Sequence, residues 1–259
     1  MTKKMIFFDI DGTLLTDEKT ILSSTREAIK TLQENGHEVA IATGRNALMA
    51  KELIDELNVP NYIVCNGAAG FFHHEEVYSN PLDEQALERL IKVADKNDHQ
   101  MIYETAKELK RRSEKVSEAV SSGMKHVGFP VPDANRSFYE NHDLIQALIF
   151  YSEKESHLYE EGQFPEFRFV RWYESGVDIL PADGSKFETI AKMAALKGFE
   201  KEDVIAFGDG LNDYEMIANV GLGISMGNGE SIVREVADMV TASNNDDGIY
   251  KALKELELI

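Results

Sequence analysis

Short apolar runs recur along the chain, separated by segments in which apolar residues return every three or four positions. Residues 4–8, 38–42, 62–65 and 204–207 have the length and composition of buried strands. Between the first three, Ala28, Ile29 and Leu32 form one helical stripe, and Leu48, Leu53, Ile54 and Leu57 another. Ser23-Ser24 offers an N-cap to the first helix, with Gly36 after its end, and Pro60 bounds the second. Strand and helix alternate, which predicts βαβ units and a parallel sheet.

After Pro81 the pattern changes. Residues 83–96 predict a strongly amphipathic helix through Leu87, Leu90, Ile91 and Ala94. Strands are expected at 101–104, 144–151, 167–172 and 177–180, with a short helix at 154–161. Residues 107–126 are polar and mixed in sign, and 129–135, with two prolines, reads as a loop. From Ser185 the first pattern returns: helices at 187–197, 214–218, 232–236 and 248–256 alternate with strands at 204–207, 223–225 and 239–240. The expected organisation is one α/β domain in two pieces, residues 1–81 and 183–259, interrupted by a smaller α+β domain over 82–182.

The ends of the predicted parallel strands carry a particular set of polar residues. The first reads Asp9-Ile-Asp11-Gly12-Thr13, the second Thr43-Gly44-Arg45, the third Asn66-Gly67, and the fourth Gly208-Asp209-Gly-Leu-Asn212-Asp213. Ligands of open parallel sheets bind beyond the carboxyl ends of the strands. Residues two apart in a strand point to one side, so Asp9 and Asp11 would emerge together. If Asp9, Asp11, Asp209 and Asp213 converge, each like-charged pair ~4 Å apart costs about 4 kcal/mol at an effective dielectric of ~20. Either some of these acids are protonated or a divalent cation lies among them. With hard oxygen donors and no Cys or His cluster, Mg²⁺ is the natural candidate. Such a set also suits phosphoryl transfer, in which one carboxylate attacks phosphorus and a second manages protons. Lys186, hydroxyls and backbone N–H groups would stabilise the phosphoryl oxygens.

Charge and composition narrow the classes further. The chain has 259 residues, 43% of them hydrophobic, and a formal net charge of −19. That surface repels nucleic acid and anionic membranes, while screening beyond roughly 8 Å still permits a local phosphate site. Cys65 is the single cysteine, so no intrachain disulfide forms and a reducing compartment is expected. No apolar stretch approaches the ~20 residues of a membrane span and no signal-peptide pattern opens the chain, so a cytoplasmic location is expected. The pair His73-His74 lacks helical metal-site spacing. The Gly221-Leu-Gly-Ile-Ser-Met-Gly run is not a dinucleotide fingerprint. Lys110-Arg111-Arg112, Arg168 and Arg171 read first as solvated side chains and second as a patch that meets phosphate. Trp172 and its aromatic neighbours read as core. Oligomeric state is not legible.

The four strand-end motifs together with Lys186 resemble the haloacid dehalogenase superfamily, and more closely its Cof-type sugar-phosphatase branch. The resemblance extends to Val177-Asp-Ile-Leu-Pro, Ser225-Met-Gly-Asn and Asn245-Asp-Asp-Gly-Ile. It implies a Rossmann-like parallel-sheet core with an inserted α/β cap. It implies Asp9 as nucleophile and Asp11 as general acid/base, with Thr43 and Lys186 on the transferring phosphoryl group. It implies Mg²⁺ held by Asp9, Asp209 and the carbonyl of Asp11, with Asp213 on a metal-bound water or on the metal directly, and Asn212 reaching the phosphate or Lys186. Gly12, Gly44, Arg45, Asn66 and Gly67 would complete the phosphate and substrate site. Relatives often place glycine after this lysine; here Phe187 stands there, which leaves the packing of that helix start open. Only 33 residues separate Asp9 from Thr43 whereas 142 separate Thr43 from Lys186, so the insert falls after the second motif. The implied activity is Mg²⁺-dependent hydrolysis of a small phosphorylated metabolite. Two rivals share many of these groups: a receiver-like phospho-acceptor, and a non-catalytic phosphate-ester-binding regulator.

Overall fold

The computed structural model describes residues 2–259. In chain order the elements are β1 (Met5–Phe8), α1 (Ser23–Glu34), β2 (Glu38–Ala42), α2 (Ala47–Glu56), β3 (Asn61–Val64), β4 (Ala69–Phe72) and β5 (Glu75–Ser79). Next come α3 (Glu84–Lys96), β6 (Gln100–Glu104), β7 (Leu109–Arg111), α4 (Glu118–His126), β8 (Gln146–Phe150), β9 (Phe167–Arg171) and β10 (Gly176–Pro181). The chain closes with α5 (Lys186–Leu196), β11 (Val204–Gly208), α6 (Tyr214–Asn219), β12 (Leu222–Ser225), α7 (Ser231–Val236), β13 (Met239–Val240) and α8 (Gly248–Glu255). No helix among the described residues is long and apolar enough to cross a membrane.

The chain divides into two compact units. The first holds the residues up to Arg45 together with Ala50–Tyr78 and Ser185–Ile259; the second holds Asn46–Met49 and Ser79–Gly184. An eight-stranded sheet runs through the first in the order β13-β12-β11-β1-β2-β3-β4-β5. Strands β1, β2, β3, β11, β12 and β13 are parallel, and β4 runs antiparallel to β3. All four residues of β1 are fully buried, as expected of a central strand covered on both faces. On one face Met5, Phe7, Ala40 and Ile63 pack with Ile190, Met193, Met216 and Ile217 from α5 and α6. Strand β1 pairs with β2 on one side and β11 on the other, so the peptides after Phe8, Ala42 and Gly208 emerge side by side.

The predicted strand at 62–65 stops one residue sooner. Cys65, Asn66 and Gly67 all have positive φ, +51°, +54° and +100°, and form a left-handed turn in which Cys65 is fully buried. The β4–β5 hairpin has no counterpart among the predicted elements. Its turn is His73-His74, with φ of +51° and +64° in place of the Asn or Gly that usually announces such a turn. Helix α1 begins at Ser23 itself, with Leu22 as N-cap and no side-chain cap bond.

The second unit is built on a five-stranded antiparallel sheet, β7-β6-β8-β10-β9. Helix α3, capped by Asp83 onto the N–H of Ala86, lays Leu87, Leu90 and Ile91 on a core with Met101, Tyr103, Ile149 and Ile179. The opposite face packs Ile102, Leu148 and Phe150 against Val120 and Met124 of α4. The α4 segment lies inside the polar stretch 107–126, where Ser117 caps the helix through the N–H of Val120.

Candidate active site

Every polar residue singled out at the strand ends of the first unit sits just past β1, β2, β3 or β11. Asp9 continues β1 by one rung, its N–H donating to the carbonyl of Phe207 at 3.0 Å. Lys186 is the first residue of α5, whose N-cap Ser185 accepts from the N–H of Glu188. From there the ammonium donates to Asp9 Oδ1 and Asp213 Oδ1, each at 2.6 Å. All three side chains are buried; that of Lys186 is 1% exposed. Phe187 packs half-buried against the core under β1, which explains how the helix start tolerates it.

Asp213 is placed by its own loop: Oδ2 accepts the N–H groups of Asp209 and Gly210, both at 2.9 Å. Asp209 Oδ1 accepts from the hydroxyl of Thr13 at 2.9 Å. Oxygens of Asp9, Asp209 and Asp213 lie within 4.8 Å of one another. Gly12 makes room for them, because a Cβ there would stand 2.1 Å from Asp209 Oδ2, and its φ is +83°.

The electrostatics are set by burial. Desolvation and the neighbouring Asp213 push the Asp9 carboxyl well above the usual range, against the pull of Lys186. Desolvation and Asp213 likewise raise Asp209 to about 6. Burial disfavours the charge on Lys186, yet the carboxylates of Asp213 and Asp9 hold its pKa above the ordinary lysine value. Three carboxyl groups thus share one buried cation. A hard-oxygen set this close, short of positive charge, fits a divalent ion such as Mg²⁺.

Asp11 does not join that cluster. Its side chain is 43% exposed and accepts from Arg45 through Nε–Oδ2 and Nη2–Oδ1, both at 2.8 Å, and from Lys19 Nζ at 2.9 Å. Burial alone would raise its pKa, but these two cations bring it below the ordinary value. The expected convergence of four carboxylates is therefore a convergence of three, because Arg45 and Lys19 compete for the fourth. Lys19 belongs to none of the strand-end motifs; the signal for it is its place in the turn after Asp11.

The remaining predicted residues form the rim. Thr43 is buried, its hydroxyl accepting from the N–H of Arg45 at 3.0 Å, while its carbonyl accepts from Asn66 N–H. Asn212 donates to the side-chain oxygen of Asn66 at 3.0 Å, tying the β11 loop to the β3 turn, and Gly44 passes close to Asn66. Gly67 packs its Cα against the carbonyl of Ser185 and accepts from the Thr189 hydroxyl at 2.5 Å, bracing the helix start that carries Lys186.

In the second unit the basic cluster has mostly internal duties. Arg112 is buried, grips Asp95 at 2.9 and 2.7 Å, and donates to the Tyr103 hydroxyl at 3.0 Å. Arg111 donates to the carbonyls of Ser113 and Pro132. Arg171 lies over the Tyr151 ring, with its Nη1 on the carbonyls of Tyr151 and Glu174. The reading of Arg111, Arg112 and Arg171 as solvated side chains is corrected: each is held by protein oxygens.

Residues 6–253 match the haloacid dehalogenase-like hydrolase family, and the chain belongs to it, as a Cof-type member. YkrA of Bacillus subtilis (strain 168), a candidate phosphatase, is 40% identical over 259 residues, all of both chains. A protein of Geobacillus kaustophilus HTA426 has a crystal structure similar at TM-score 0.95 and 40% identity, covering 99% of this chain and 100% of that one. A haloacid dehalogenase subclass IIB sugar phosphatase is similar at TM-score 0.85 and 28% identity, covering 99% of this chain and 100% of that one. The fold is the family's parallel-sheet core with an inserted α/β domain, and the chain is an enzyme of the phosphatase type.

Proposed function

We propose that this chain is a Mg²⁺-dependent phosphatase that hydrolyses small phosphomonoesters, sugar phosphates first among them, through a phosphoryl group carried on Asp9. The observation that carries this reading is the environment of Asp9: a buried carboxylate, 2.6 Å from Lys186 and grouped with Asp209 and Asp213. Such a group is a poor surface acid and a well-placed nucleophile. The similarity to a sugar phosphatase over nearly the whole chain supports the substrate class.

Asp9, Asp209, Asp213 and the carbonyl of Asp11 would hold the cation. When bound, it offsets the carboxylate charge and polarises the phosphoryl oxygens. An oxygen of Asp9 attacks phosphorus as the ester oxygen leaves with a proton from Asp11, which takes up that proton when the bound phosphate draws Arg45 away from its carboxylate. Water then attacks phosphorus, gives its proton back to Asp11, and Asp9 is released. Lys186 stays charged and balances negative charge on Asp9 and on the phosphoryl group, and Thr43 donates its hydroxyl to it. Arg45, Asn66, Asn212 and the N–H groups after Gly12 and Gly44 orient the phosphate and the leaving group.

The test is a phosphate-release screen over phosphorylated metabolites, with and without MgCl₂, on the wild type and Asp9→Asn. Mg²⁺-dependent turnover that Asp9→Asn abolishes is the expected result. A stable stoichiometric phosphoprotein would instead mark a phospho-acceptor, and binding without either would mark a regulator.

A further inference from the structure

The proposed mechanism leaves two features unused: Lys19, and the motif Asn244-Asn245 far along the chain. Lys19 closes a tight turn in which its N–H donates to the carbonyl of Thr16 and the N–H of Thr16 donates to that of Thr20, both at 2.9 Å. Its φ is +58°, a left-handed conformation that costs a residue with a Cβ roughly 1–2 kcal/mol. Glycine or asparagine would fit more easily there, yet the residue is lysine and its ammonium returns to Asp11 Oδ1.

The turn does not float. Asn245 exchanges two hydrogen bonds with Asp17, Nδ2 to Asp17 Oδ2 at 2.9 Å and Asp17 N–H to Asn245 Oδ1 at 3.1 Å. Asn244, buried, donates to the Leu15 carbonyl at 2.9 Å and to Asp17 Oδ1 at 3.2 Å. Its own N–H reaches Asn228 Oδ1, and Asn228 Nδ2 donates to the carbonyl of Gly12, each at 2.9 Å. Gly12, Leu15 and Asp17 are thus each fastened to loops more than 200 positions away.

An exposed ion pair contributes about 0–1 kcal/mol, no more than the left-handed lysine costs, so stability does not account for the arrangement. Its geometric result is specific. Oδ1 of Asp11 takes two cationic donors, from Lys19 and Arg45, whereas Oδ2 takes only Arg45 Nε and keeps a lone pair open. We propose that Lys19 is a positioning residue for Asp11: its turn, pinned by Asn244 and Asn245, fixes Oδ1 and leaves Oδ2 to carry the proton.

The inference rests on Asp11 as the acid of the reaction proposed above. In that reaction the proton passes from Oδ2 to the ester oxygen as its bond to phosphorus breaks, and returns to Oδ2 from the attacking water. Phenyl phosphate, with a poorer leaving group, needs that proton more than 4-nitrophenyl phosphate does. In MgCl₂, Lys19→Ala is expected to lower kcat/KM on phenyl phosphate about tenfold and on 4-nitrophenyl phosphate less than about twofold. Lys19→Arg restores the ratio, and Asn245→Ala shifts it in the same direction as Lys19→Ala. An unchanged ratio in Lys19→Ala overturns the proposal. Should the wild type release phosphate from no ester at all, it is the phosphatase reading that fails. Crystal structures of wild type and Lys19→Ala then decide on Lys19: a displaced Asp11 carboxylate supports its role, and an unmoved one overturns it.

Discussion

Lys186 and Asp9 stand 177 positions apart in sequence and 2.6 Å apart in space, both side chains closed off from solvent. The same ammonium holds Asp213 at the same distance, so one cation organises two buried carboxylates. Removing one partner of such a group leaves an uncompensated buried charge, which costs about 3–5 kcal/mol. Lys186→Ala is expected to lose phosphate release by at least about 100-fold. In urea unfolding without metal, the variant should also lose stability, and it should recover part of that loss when MgCl₂ is added.

The raised carboxyls make metal binding pH-dependent. Burial and Asp213 push Asp209 up to about 6 and Asp9 well above the usual range, so protons compete with a cation for both. Without metal, the native state binds more protons than the unfolded chain between about pH 4 and 6, so these groups lower stability as pH rises through that window. Mg²⁺ should reverse the slope. The rise in Tm given by MgCl₂ is expected to be larger at pH 7.5 than at pH 5, measured by calorimetry.

Gly12→Ala places a methyl group 2.1 Å from Asp209 Oδ2 and forces φ +83° on a residue with a Cβ. The backbone cost is roughly 1–2 kcal/mol. The displaced carboxylate should weaken Mg²⁺ binding more than it weakens the fold. Titration of MgCl₂ against Tm, beside urea unfolding in chelator, separates the two effects.

Arg112→Met tests the second unit apart from the chemistry. The change removes charge-assisted hydrogen bonds to Asp95 and the bond to Tyr103. Hydrogen bonds to charged groups contribute about 1.5–3 kcal/mol, and Asp95 is partly solvated, so a loss of about 2 kcal/mol is expected. Hydrolysis of 4-nitrophenyl phosphate at a temperature where the variant is folded should stay within about threefold of wild type.

The strand ends of the first unit are legible because buried parallel strands stand out as apolar runs, and the residues that end each run are polar for a reason the run cannot supply. Asp9, Thr43, Asn66 and Asp209 can be named that way, and Lys186 by its place at the start of the helix that follows the insert. The fate of the Asp11 carboxylate cannot, since the competition between Arg45, Lys19 and the acid cluster is settled only in three dimensions. The β4–β5 hairpin escapes notice because His73-His74 adopts a backbone usually signalled by other residues. The buried role of Arg112 is hidden in a basic triplet that looks solvated, and its partner Asp95 lies on α3, 17 positions earlier. Helix α4 is lost in a stretch whose mixed charges mask the spacing of Val120 and Met124.

The left-handed turn after β3 has one more consequence. Cys65, the chain's single thiol, is fully enclosed beneath it, between the strand that leads to Asn66 and the turn that braces Lys186. An aromatic disulfide reagent can reach that sulfur only when this segment opens. The rate of its colour change therefore clocks the breathing of the floor beneath Asn66 and Lys186 in the unmodified protein, with no engineered label, and a bound phosphate analogue should slow it.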